Sequence, residues 1–218
     1  MKVNDWNSQQ VSRAETTWGH KFPLYTKSLF DAAIDNCVLP SFLDLGCGFG
    51  RFLQYLTEHI PHQMFKYTGY DSSSSMIQRI SERFPQFKNC VFERSLTDPI
   101  IHQVNSIIAS AVFIHLPLED QATILYNIRK MDELPNFIGF DINCPSESFL
   151  SKQPPDFTHY ERIISLDSQP FRMTWQSPTH MEELLNEILD TKYDINSTFF
   201  SLYKDGRSKR VFKLTKKD

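Results

Sequence analysis

Three glycines at alternate positions, Gly46, Gly48 and Gly50 in FLDLGCGFGR, follow a short apolar run that contains one acidic residue, Asp44. Glycines at a strand-to-helix turn let the backbone bend sharply and bring bare peptide N–H groups against a ligand. The dinucleotide spacing G-x-G-x-x-G counted from Gly46 would need glycine at 51, where the chain has Arg51, and no P-loop lysine follows. The loop is therefore poorly matched to a pyrophosphate on a helix N-terminus. Asp71 closes the next apolar run, where a carboxylate can accept the two hydroxyls of a ribose. His115 carries an imidazole that titrates near neutral pH and could take a proton from a hydroxyl or amine; the plainer reading is that His115-Leu-Pro starts a helix. Later in the chain, Tyr160, Arg162, Arg172 and Trp175 combine aromatic surface that excludes water with guanidinium groups that clamp carboxylates. Ordinary packing and surface ion pairs are the competing account of those four.

The elements that must position these residues alternate short apolar runs with helical patterns, which predicts βαβ units and a mostly parallel sheet. Strands are expected at Ser41 to Leu45, Phe65 to Asp71, Cys90 to Arg94, Ser106 to Ala111 and Phe137 to Ile142. Between them, helices are expected over Arg51 to Ile60, Ser72 to Phe84, and Pro117 to about Leu134. From Asn143 to Trp175 the periodicity weakens and Pro145, Pro154, Pro155 and Pro170 interrupt it, so this stretch reads as an insertion with short elements of its own. A helix opening at Ser177-Pro178-Thr179 follows. Two strands flanking Asp205-Gly206 then predict a C-terminal antiparallel hairpin.

Three segments, DLGCGFGR, GYDSSSSMI and SAVFIHLP, resemble the class I S-adenosylmethionine-dependent methyltransferases, over roughly Ser41 to Ile142. The resemblance implies an α/β fold, a Rossmann-like doubly wound seven-stranded sheet of five parallel strands plus the C-terminal antiparallel hairpin, in the order 3-2-1-4-5-7-6. It implies a methyltransferase domain over 41–218, an N-terminal helical cap segment over 1–40 and a substrate-lid insertion at 143–175. S-adenosyl-L-methionine is the implied cofactor. Gly46, Cys47 and Gly48 would lie under its methionine part, Asp44 would steer its ammonium or order the loop, and Asp71 would grip the ribose. Ser72 and Met76 would edge the adenine, and Ala111, in the third matched segment, is a further implied cofactor-binding residue. Many relatives carry an Asp after strand three that accepts from the adenine amine; here Ser95 and the backbone at Leu96 are the replacements, since a carbonyl serves a neutral donor as well. Trp18, His20 and Tyr25 fall in a segment that folds over the cofactor in many relatives, with Tyr25 placed to bond its carboxylate. In-line displacement on a sulfonium mainly requires alignment, so His115 is the one candidate base. The substrate candidates are Trp18, His20, Tyr160, Arg162, Arg172 and Trp175.

Composition narrows the alternatives. The chain has 218 residues, 40% hydrophobic and 22% charged, with no apolar run near the ~20 residues of a membrane helix. No secretory apolar core opens the sequence, and the four cysteines form no C-x-x-C pair, which points to a reducing cytoplasm and away from zinc. A formal charge of −3 argues against nucleic acid, although Lys204 to Asp218 holds seven Lys or Arg against two Asp. That run is read as a solvated strand face. The expected activity is methyl transfer to an O or N atom of a small molecule by a monomer or homodimer. RNA or protein methylation, a non-catalytic cofactor-binding accessory protein and an NAD-dependent oxidoreductase are the rivals.

Overall fold

The computed structural model describes residues 8–18, 22–37, 40–87, 90–92, 104–154, 156–166, 169–189, 192–201 and 208–217. Strands β1 (Ser41–Leu45), β2 (Lys66–Asp71), β3 (Cys90–Phe92), β4 (Ser106–Ala109) and β5 (Phe137–Cys144) are parallel neighbours in the order 3-2-1-4-5. Helices α1 (Ser8–Trp18) and α2 (Leu24–Asp35) precede them, and α3 (Arg51–His59), α4 (Ser74–Arg83) and α5 (Leu118–Arg129) connect them. After β5 come the short helix α6 (Glu147–Leu150), the hairpin β6 (His159–Leu166) and β7 (Gln169–Gln176), helix α7 (Pro178–Leu189), and strands β8 (Tyr193–Ser201) and β9 (Ser208–Lys216).

The C-terminal pair completes the sheet as expected: β9 runs antiparallel to β5 and β8 antiparallel to β9. Among the described residues, nine strands rather than seven make up the sheet, because the insertion contributes two. β5 has eight residues, but β4 pairs only with its first four, ending at Ala109↔Phe140. Beyond that point β7 joins β5 at Asn143↔Trp175. The β6–β7 hairpin thus continues the sheet past the C-terminal end of β4. Pro170 lies one residue inside β7, opposite Ser165, near a strand start where a missing donor is tolerated.

Alternation along the strands divides the core into two layers, one on each sheet face. Phe42, Ile108 and Phe137 pack with Leu29, Phe30 and Ala33 of α2 and Phe52, Leu53 and Leu56 of α3. Leu43, Leu45, Ile107, Phe140 and Ile142 pack with Ile124, Leu125 and Ile128 of α5 and Met181, Leu185 and Ile188 of α7. Asp44 and Asp141 share the first face with Phe42 and Phe137, respectively two and four residues away in their strands. Contact between α2 and β5 is close: a Cβ on Gly139 would lie 2.5 Å from Leu29 Cδ1. In the described part of the basic C-terminal run, Lys216 and Lys217 are exposed as expected, whereas Lys209 is buried and Arg210 and Lys213 are half-buried. β9 lies between β5 and β8, with Val211, Phe212 and Leu214 buried, because antiparallel return onto β5 makes it an interior strand. No helix among the described residues is long and apolar enough to cross a membrane.

Candidate active site

The glycine loop takes a conformation closed to most side chains. Gly46, Gly48 and Gly50 have φ of +66°, +54° and +87°, in the left-handed region that glycine enters without penalty. Each has a different neighbour. A Cβ on Gly46 would lie 2.4 Å from Val112 Cγ2, so the loop sits hard against the turn that follows β4. At Gly48 the same atom would meet nothing nearer than Met76 Sδ at 3.9 Å, leaving the backbone there open to a ligand. Asp71 organises this open face: Gly48 N–H donates to its Oδ2 at 2.9 Å and Ser73 N–H to its Oδ1 at 2.8 Å. Ser73 then caps α4 by accepting from Met76 N–H.

Behind the loop lies a set of buried charges. Asp44 is 3% exposed and accepts a hydrogen bond from the Tyr67 hydroxyl at 2.8 Å. Burial pushes its carboxyl up to about 7; the Tyr67 hydrogen bond opposes the rise, nearby Asp71 adds to it and Arg51 opposes it. Burial lowers the pKa of the Arg51 guanidinium, which Tyr25, Asp141 and Asp44 stabilise electrostatically. Asp141, fully buried on β5, accepts from Ala111 N–H at 2.6 Å and pairs with the Lys209 ammonium of β9. The Lys209 nitrogen also stands 5.5 Å from the centre of the Tyr25 ring. Arg51, expected only to break a dinucleotide pattern, therefore lies within electrostatic reach of both Asp44 and Asp141.

The turn after β4 is the second unusual stretch of backbone. Ala111 has φ of +59°, the one non-glycine residue with positive φ among those described. Beside it, Ser110 Oγ is buried with no hydrogen-bond partner among the described residues. The turn continues through a 3-10 segment, Phe113–His115. His115 Nδ1 lies 3.0 Å from Arg172 O; since a carbonyl only accepts, Nδ1 carries the hydrogen and Nε2 is the acceptor nitrogen of the neutral ring. Part of the ring still meets solvent, yet the dense surroundings lower its pKa to about 4 by desolvation. The helix expected from Pro117 begins at Leu118 and stops at Arg129.

The hairpin distributes the substrate candidates over two faces. Tyr160 stacks on Trp175 at 5.0 Å between ring centres, and Phe149 leans on Tyr160 at the same separation. Trp175 is the parallel partner of Asn143, so this group shares the sheet face of Asp141 and Asp44. Arg162 lies on that face of β6 and is exposed. Arg172 points the other way and pairs with Glu161 at 2.7 Å. A single cluster of all four does not form, because alternation in β7 separates residues 172 and 175. Tyr25 sits among Arg51, Lys209 and Phe200, which it approaches at 6.4 Å. Met76 is buried with Val11, Ala14 and Phe49, and Ser72 is exposed at the edge. Trp18 ends α1, while His20, Ser95 and Leu96 lie outside the described residues.

Tyr67, Asp141 and Lys209 belong to the site and escaped sequence reasoning. Asp141 had a signal: it interrupts the apolar strand FIGFDINC just as Asp44 interrupts FLDL. Lys209 had none, being one of seven cations in the tail.

Residues 43–131 match the methyltransferase domain family. No curated protein matches the chain by sequence. Among solved structures, it is similar to the Burkholderia thailandensis 1,6-didemethyltoxoflavin N1-methyltransferase, at 14% identity over 96% of this chain and 85% of that one, with a TM-score of 0.66. It is likewise similar to the CcbJ methyltransferase of Streptomyces caelestis, at 13% identity over 98% and 100% of the two chains, TM-score 0.65. The magnesium protoporphyrin IX methyltransferase of Synechocystis matches at 14% identity over 97% and 95%, TM-score 0.62. Residues 43–131 thus carry the methyltransferase-domain match, and the chain as a whole has the Rossmann-like fold of these enzymes.

Proposed function

We propose that the protein transfers the methyl group of S-adenosylmethionine to an oxygen or nitrogen atom of a small molecule by in-line displacement. The observation that carries this reading is Asp71, whose carboxylate joins the open face of Gly48 to the start of α4 at the strand end where a ribose would be held. When bound, the cofactor supplies an electrophilic methyl on a sulfonium. Gly46 to Gly48 let the backbone come close to the methionine part, Asp44 offers a carboxylate for the ammonium, and Tyr25 a hydroxyl near Arg51 for the cofactor carboxylate. Ser72 and Met76 border the adenine, with Ser95 and Leu96 assigned to its amine. The Burkholderia and Synechocystis enzymes were solved with S-adenosylhomocysteine, which supports the same donor here.

On the acceptor side, the stacked Tyr160 and Trp175 exclude water, with Trp18, His20 and Arg162 as further contacts; Arg172, on the opposite face and paired with Glu161, is set aside. His115 remains neutral at pH 7 and presents Nε2 as an acceptor of low proton affinity, suited to orienting a hydroxyl or amine as it reacts. RNA or protein as acceptor drew its support from the basic tail. Four of those cations are engaged within the fold: Lys209 with Asp141, Arg210 with Glu182, Lys213 with Ser28 and Lys217 with Asp194. We place the protein in the cytoplasm, a reading supported by the free thiols of Cys37, Cys47 and Cys144, and take it to act as a monomer or homodimer.

Calorimetric titration with S-adenosylmethionine tests the donor. Asp71→Ala is expected to weaken binding by about tenfold or more, the worth of charge-assisted hydrogen bonds. Failure of the native protein to bind, or undiminished binding by the variant, would sink the assignment. With an acceptor in hand, His115→Ala should lower kcat by about a hundredfold while leaving cofactor affinity intact.

A further inference from the structure

We propose that Asp141, held by Lys209, is a positioning residue: it sets the left-handed turn at Ala111 and, through that turn, one wall of the cofactor site. The inference rests on the S-adenosylmethionine reading above. Its geometry is direct. One carboxylate oxygen of Asp141 accepts from Ala111 N–H at 2.6 Å, and the other accepts from the Lys209 ammonium. Ala111 is held at φ +59°, a conformation that a residue with a Cβ keeps only when its surroundings enforce it. The next residue, Val112, abuts Gly46 so closely that no Cβ would fit between them. Displacement of the turn therefore carries into the glycine loop.

Burial identifies the purpose of the pair. Asp141 is 0% and Lys209 4% exposed, and an ion pair so deep is a poor stabilising device, since apolar replacement of both partners is often neutral or favourable. What an apolar pair could not supply is an acceptor aimed at the Ala111 N–H. Arg51 and the Tyr25 ring lie close to the same pair, so the positioning group is contiguous with the residues assigned to the cofactor's amino-acid end.

Two double variants separate position from stability. Asp141→Leu with Lys209→Met removes the acceptor and both charges; it is expected to melt no lower than wild type yet bind S-adenosylhomocysteine about tenfold or more weakly. Asp141→Asn with Lys209→Met keeps a side-chain oxygen for the Ala111 N–H and is expected to recover affinity to within about threefold of wild type. Equal affinity in wild type and a folded Leu/Met variant overturns the proposal, as does equal weakness in both double variants. A ligand-free measurement covers the case of a variant that does not fold: in the native protein the Ala111 amide should exchange as slowly as the β4 amides, and loop-like exchange overturns the proposal. Native protein that fails to bind S-adenosylhomocysteine refutes the underlying cofactor reading, whereas native binding with an insensitive Leu/Met variant refutes only the role of Asp141.

Discussion

Asp44, on β1 behind the glycine loop, carries a large electrostatic consequence. Its carboxyl, ordinarily near 3.8, is raised to about 7, so in the ligand-free protein at pH 6 it is mostly protonated. A cofactor ammonium beside it would favour the anion and lower that value. Binding at pH 6 should therefore release close to one proton, seen as a dependence of the calorimetric enthalpy on buffer ionisation heat. Asp44→Asn should abolish the dependence. The same shift has a sign for stability. Because the folded value lies above the unfolded one, the contribution is present below about pH 4 and is lost as pH rises to about 7. Asp44→Asn should thus gain in melting temperature relative to wild type as pH rises from 4.5 to 8. Asp44 was legible in the sequence because an acid inside an apolar run is conspicuous; Tyr67, which donates to it, was not, because a tyrosine in a strand looks like core.

At the scale of elements, the hairpin of the insertion is anchored at its base by buried hydrogen bonds. Thr174 Oγ1 donates to Leu116 O at 2.9 Å, and Gln176 Nε2 to Gln121 Oε1 at 2.6 Å. Gln121 Nε2 in turn donates to Phe113 O and Leu116 O, each at 2.9 Å. These side chains are buried, and segments that open readily have few such contacts. Amides of residues 174–176 should be protected from exchange to a degree comparable with β5, both with and without S-adenosylhomocysteine. Rapid exchange that slows on ligand binding would instead mark the whole hairpin as a moving lid. Helices α3 and α4 were readable from apolar spacing alone to within a residue or two of their ends. The β6–β7 pairing was not, because its partner strands are defined by contacts with each other and with β5, and the prolines obscured the alternation.

For the whole molecule, one core layer is anchored on β5. Phe140 lies between Phe113, at 4.4 Å between ring centres, and Phe212, at 5.2 Å, tying the β4 turn to β9 across the sheet. Phe140→Ala should cost about 3–5 kcal/mol in denaturant unfolding, the usual penalty for emptying a large buried site. With four of its seven tail cations paired within the chain, the protein should also show no binding to duplex RNA at about 200 mM salt, where non-specific phosphate contacts are strongly weakened. Sequence by itself determined the alternating βαβ order, the C-terminal hairpin and the glycine loop with its two acids, since each follows from local spacing and from residue types with one conformational use. Only the tertiary structure decided that Lys209 meets Asp141, that Asp141 holds Ala111, and that the insertion extends the sheet. Those pairings join residues 68, 30 and 32 positions apart, and no local pattern encodes which distant charge or strand a buried group will find.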